Sequence, residues 1–118
     1  MEDSTLSDQV FIRSGDVTWT DVAPGLRRQI LGHGPDLMMV SVQLDKGAVG
    51  ALHHHPHRQV TYVAHGSFEV TVDGRCELLN AGDSFYVAAD LTHGVRAIEA
   101  GVLIDVFTPT RADFLANG

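Results

Sequence analysis

"QVTYVAHGSFEVTVDGRCELLNAGDSFYVA", residues Gln59–Ala88, decides the fold. Short segments rich in Val, Tyr, Phe and Thr alternate with turn residues throughout it. "QVTYVA" and "SFEVTV" are separated by His65 and Gly66, "VDGR" (Val72–Arg75) sets Asp-Gly between two strands, and "NAGDS" (Asn80–Ser84) reads as a further turn. β-Branched and aromatic side chains suit a pleated, half-buried strand, and Asp-Gly is the strongest short hairpin signal. The same punctuation continues on both sides, in "LMMVSVQL" (Leu37–Leu44), "VRAIEA" (Val95–Ala100) and "VLIDVF" (Val102–Phe107). Closely spaced strands with glycine turns predict an all-β sandwich or antiparallel barrel, in which closure removes exposed edges.

The 118 residues are one domain by length. Residues 1–15 are expected to form a mobile polar segment and residues 16–118 the β domain, with "RADFLANG" closing the chain as a short helical turn. A formal charge of −7 and no run of Lys or Arg argue against a nucleic-acid partner, and none is expected. No apolar run reaches the length of a membrane helix, and the N-terminus lacks the basic start and apolar core of a signal peptide. Cys76 is the single cysteine, so an intrachain disulfide and a cysteine-based zinc site are both excluded. A cytoplasmic protein is expected.

"HHHPHRQ" (His53–Gln59) is the chemical centre of the sequence. Strand parity points His53 and His55 to one face and His54 to the other. Pro56 then interrupts the ladder, so parity does not place His57, which is read as exposed or supporting. Two imidazoles from one strand already chelate a divalent transition metal. The third nitrogen is expected from His93, with His33 and His65 as the remaining choices. On their own, His33, His54 and His65 read as solvated side chains. Asp105 lies between Ile104 and Val106 in an otherwise apolar strand, sharing a face with Leu103 and Phe107. A buried carboxylate there is either paired, with Arg111 as the candidate, or functional. Arg111, after the Pro109 turn, offers a planar fork for a substrate carboxylate.

The stretch Gly47–His93 resembles the two motifs of the cupin superfamily. The first reads here as His53-x-His55, three residues, Gln59, six residues, Gly66. The second reads as Gly82, five residues, Ala88-x-Asp90, two residues, His93. Gln59 stands where the family carries glutamate, and Ala88 and Asp90 stand for its proline and glycine. The resemblance implies a single-domain antiparallel barrel or jelly roll and one divalent transition metal ion (Mn, Fe, Co, Ni or Zn) on His53, His55, Gln59 and His93. It assigns no ligand role to His54 or His57.

With "IDVFTPTRADFL" added, the chain is similar to the narrower group of KdgF-type pectin and alginate degradation proteins. That similarity implies ring opening and ketonisation of 4,5-unsaturated monouronates to linear 5-keto-4-deoxyuronate. Asp105 would then relay a proton, and Arg111 would bind the carboxylate of a sugar-acid substrate. Small cupins of this type are often homodimers, and Trp19 and Leu37–Val42 are candidates for apolar contact surface, which the sequence does not separate from core. A small iron dioxygenase and a non-catalytic small-acid binder are the alternatives.

Overall fold

The computed structural model describes residues 9–117. The expected mobile segment therefore lies, over residues 1–8, outside the described residues. At its end Ser14–Asp16 make one 3-10 turn, and the buried Gln29 amide donates to the carbonyls of Ser14 at 2.6 Å and Val17 at 3.0 Å.

Eight antiparallel strands follow: β1 (Thr20–Ala23), β2 (Leu26–His33), β3 (Met38–Leu44), β4 (Val49–His53), β5 (Arg58–Val72), β6 (Arg75–Asn80), β7 (Ser84–Val87) and β8 (His93–Thr108). A short helix, α1 (Ala112–Asn117), closes the chain at the expected "RADFLANG". The ladder runs β1-β2-β3-β8-β5-β6, with β4 added to β8 and β7 to β5.

Two long strands organise the whole. The C-terminal half of β8 lies between β3 and the first half of β5, and its N-terminal half lies between β4 and the second half of β5. β7 flanks the first half of β5 and β6 the second. The strands are thus shared between two leaves, as in a jelly roll. Sequence punctuation divides β5 and β8 at Gly66 and Gly101, but the strands continue through both glycines and bend there. His65, expected in a turn, lies within β5 at a run of register shifts. A Cβ on Gly66 (φ +86°) would stand 2.6 Å from the Ala100 carbonyl oxygen, and one on Gly101 would meet the His65 carbonyl. Only glycine lets the two backbones approach this closely at the corner. The Asp73-Gly74 hairpin forms as read, with both residues left-handed at φ 49° and 81°.

Between the leaves, Leu44, Val63, Phe68, Val70, Ala97 and Leu103 form the larger core cluster, and Met38, Val40 and Phe107 a second. Burying each of the larger side chains contributes roughly 1.5–3 kcal/mol. Met38 and Val40, read as part of a candidate interface surface, belong to this core. Trp19 instead lies under the Arg27 guanidinium, 4.6 Å from its ring centre. No helix among the described residues is long and apolar enough to cross a membrane.

Candidate metal centre

His53 ends β4 and is the cross-strand partner of His93, which begins β8. His55 lies just beyond β4, in the loop broken by Pro56, rather than in the strand that parity assumed. The loop nevertheless returns it to the same side, and the donor atoms of His53, His55 and His93 lie within 4.8 Å of one another. His54 is exposed, as are His65 and the rim ligand candidate His53, while His55 and His93 are buried. His33 stays at the end of β2, bonded to the Leu31 carbonyl.

The hydrogen bonds fix what these rings present. His53 Nδ1 is 2.9 Å from the Ala51 carbonyl, His55 Nδ1 is 3.0 Å from that of His57, and His93 Nδ1 is 2.9 Å from that of Leu91. A carbonyl only accepts, so each Nδ1 carries the hydrogen and each Nε2 keeps its lone pair. His57 thus supports the cluster through its backbone, not its ring.

Gln59 completes the convergence. Its Oε1 stands 3.1 Å from His55 Nε2 and 3.2 Å from His93 Nε2. Its Nε2 donates to Thr61 Oγ1 at 2.8 Å and approaches Asp105 Oδ1 at 3.4 Å, so the amide cannot turn its nitrogen toward the imidazoles without losing both. Acceptors therefore face acceptors across the cluster, an arrangement that a cation reconciles and that neutral side chains alone do not. The three-histidine cluster fits a metal site. Burial pushes the His93 pKa down to about 4, with the neighbouring imidazoles and Arg111 adding to it. Burial and Arg111 likewise lower that of His55. Both rings are thereby kept neutral, the form that ligates.

Asp90 explains one departure from the family pattern. Its φ is +66°, the left-handed region where glycine is usual and Asp is tolerated, and its amide donates to the His55 carbonyl at 2.8 Å. The loop before His93 is thereby tied to the loop that carries His55.

Asp105 shares the inner face of β8 with the buried Leu103 and Phe107, as expected. It is the cross-strand partner of Thr61, whose hydroxyl donates to Oδ1 at 2.6 Å. Burial raises its pKa to about 6, against the opposing effects of Thr61 and Arg111. Arg111 does not form the ion pair with Asp105 that stood as the alternative to a functional carboxylate. Its Nε and Nη2 donate to Asp113 Oδ1 and Oδ2 at 3.1 and 2.9 Å, and its guanidinium lies near the rings of Phe107 and Phe114.

One pocket of about 370 Å³ is lined by His53, Gln59, His93, Asp105 and Arg111. Its volume and largely apolar walls suit a small molecule. Thr61 and Arg28, which also belong to this region, went unnoticed in the sequence. Thr61 lies two residues from Gln59 on the same strand face. Arg28 interrupts an apolar alternation from Leu26 to Ile30.

The cupin domain family matches residues 40–107. The pectin degradation protein KdgF of Dickeya dadantii (strain 3937) is 45% identical over 102 residues, 85% of this chain and 93% of that one. A solved RmlC-like cupin from Shewanella frigidimarina NCIMB 400 is 44% identical at a TM-score of 0.87, covering 90% of this chain and 96% of that one. The solved KdgF from Halomonas sp. is 42% identical at a TM-score of 0.84, covering 88% and 96%.

Proposed function

The chain belongs to the cupin domain family, and from that premise we propose that it is a metal-dependent enzyme of pectin degradation. It converts 4,5-unsaturated monouronates into linear 5-keto-4-deoxyuronate. The observation that carries this reading is the pocket in which His53 and His93 meet a carboxyl and a guanidinium. Two KdgF proteins among the relatives support the substrate class.

His53, His55 and His93 would hold the metal through Nε2 and Gln59 through Oε1. When bound, a divalent transition ion (Mn, Fe, Co, Ni or Zn) polarises a substrate oxygen and lowers the pKa of a coordinated hydroxyl. Ring opening breaks the hemiacetal bond from C1 to the ring oxygen as the C1 hydroxyl loses its proton. Ketonisation of the resulting enol places a proton on C4, so the net change is an isomerisation. Asp105 takes and returns that proton, with Thr61 and Gln59 holding its Oδ1 in place. Arg111 binds the substrate carboxylate. Asp113 occupies two of its five N–H groups, and the guanidinium lines the pocket.

The working form in this reading is a homodimer. Met39, Val60, Tyr62 and Tyr86 are exposed, and cross-strand pairing sets Met39, Val106, Val60 and Tyr86 in one row across β3, β8, β5 and β7. An exposed apolar row of this kind marks a contact surface.

The test mixes metal-loaded protein with 4,5-unsaturated galacturonate and follows the ultraviolet absorbance of the conjugated double bond. Loss of absorbance faster than the buffer blank, abolished by Asp105→Asn, is expected. A rate equal to the blank with each of the five metals removes the reading.

A further inference from the structure

Arg28 occupies an inward position on β2, between Leu26 and Ile30, which pack against the two core clusters. A guanidinium on the inner face of a β sandwich is unfavourable unless it is paired or used. Arg28 lines the same pocket as His53, Gln59, His93 and Asp105. Its Cζ stands 3.7 Å from the centre of the Phe114 ring, and Arg111 Cζ stands 4.0 Å from the same centre. One phenyl ring therefore supports both cations.

The two arginines differ in how they are satisfied. Arg111 is forked on Asp113, whereas the Nε of Arg28 is buried with no hydrogen-bond partner among the described residues. Burial and then Arg111 both disfavour the charge on Arg28, and Asp113 offsets them only in part. A guanidinium nonetheless stays charged, because proteins do not deprotonate it. The pocket wall thus keeps a positive charge that the protein leaves incompletely compensated, and an anion seated there would offset it.

We infer that Arg28 and Arg111 together form a carboxylate seat in this pocket, with Arg28 the residue that selects anionic over neutral ligands. The seat requires only a carboxylate, and its assignment to a uronate rests on the function proposed above. Phe114 is the spacer that keeps the two guanidiniums on one wall.

Calorimetric titration of the metal-loaded protein tests this with three probes: galacturonate, galactose and lactate. The variants are Arg28→Gln and Arg28→Lys, checked for folding by circular dichroism. Wild type is expected to bind galacturonate more tightly than galactose. Arg28→Gln should weaken galacturonate by about ten- to a hundredfold, as loss of a charged hydrogen bond implies, and leave galactose unchanged. Arg28→Lys should fall between, and it replaces the glutamine variant should that one fail to fold. Galacturonate binding as in wild type by either folded variant overturns the role of Arg28 and leaves the uronate reading intact. Arg28-dependent binding of lactate without binding of galacturonate supports the seat and removes the uronate reading. Binding of neither acid by wild type overturns both.

Discussion

Gln59 faces two ways: its amide nitrogen stands 3.4 Å from Asp105 Oδ1 while its oxygen stands 3.1 Å from His55 Nε2. A glutamate, which the family pattern carries at this position, would set a second carboxylate against Asp105 and leave the Thr61 hydroxyl without its donor. The exchange to glutamine is thus matched to the aspartate on β8. Gln59→Glu should destabilise the metal-free protein at pH 7 by about 1–3 kcal/mol, through like-charge contact and a lost hydrogen bond. Below pH 4 most of that loss should disappear as the carboxyls protonate. Urea denaturation at both pH values reads this, and a destabilisation of equal size at each would contradict it.

Asp105 and His93 give the metal-free protein opposing pH dependences. The folded pKa of Asp105 is raised, to about 6 from 3.8, so its contribution is fully present below pH 3.8 and is lost as pH rises through 6. By linkage this costs on the order of 3 kcal/mol at neutral pH. The folded pKa of His93 is depressed, to about 4 from 6.5, so its contribution is present above pH 6.5 and is lost as pH falls through 4. In wild type the two changes partly cancel between pH 6.5 and 4. Asp105→Asn should therefore be more stable than wild type at pH 7 and inactive, with the stability difference closing toward pH 4. A difference in unfolding free energy that does not vary with pH sinks this account.

Strand character was legible wherever apolar alternation ran unbroken, as in β3, β5 and β8. It failed at β1, β2 and β4, and for the last two the reason is physical. β2 carries Arg28 on its inner face, while its neighbour Gln29 is buried beneath the 3-10 turn, so neither face shows a clean pattern. β4 pairs with a single strand and is mostly exposed. Glycine marked the bends at Gly66 and Gly101 but could not say whether a strand stopped there or turned with its partner. The convergence of His53, His55 and His93 was legible because motif spacing carries the chain distance between them. Thr61 was not, since its importance arises from sitting opposite Asp105 across a ladder 44 residues apart in sequence. The arginine in β2 shows that a break in local pattern can itself mark a site.

The left-handed backbone at Asp90 separates two substitutions that remove the same carboxylate. At φ +66° any side chain sets a Cβ against the following carbonyl; the short polar side chain of aspartate eases that conformation, alanine keeps the Cβ without that help, and glycine has no Cβ. Asp90→Ala should lower stability by about 1 kcal/mol, whereas Asp90→Gly should be neutral or slightly stabilising. Both keep the amide that donates to the His55 carbonyl. Thermal unfolding distinguishes them, and equal losses would mean that the aspartate side chain, not the backbone angle, supports the loop.

The outer face of β5 tests the dimer separately from the chemistry. Val60 is 49% and Tyr62 49% exposed, while the intervening Thr61 is fully buried, so alternate positions divide cleanly between surface and site. A lysine at Val60 would therefore add a charge to the apolar row beside Tyr86 and Val106 without entering the pocket. Burying two such lysines across a symmetric contact is strongly unfavourable, so Val60→Lys should elute and scatter as a monomer where wild type gives a dimer. Its chemical denaturation midpoint should also lose any dependence on protein concentration. Light scattering that finds the same mass for both proteins, at concentrations down to the micromolar range, would exclude this face as the contact.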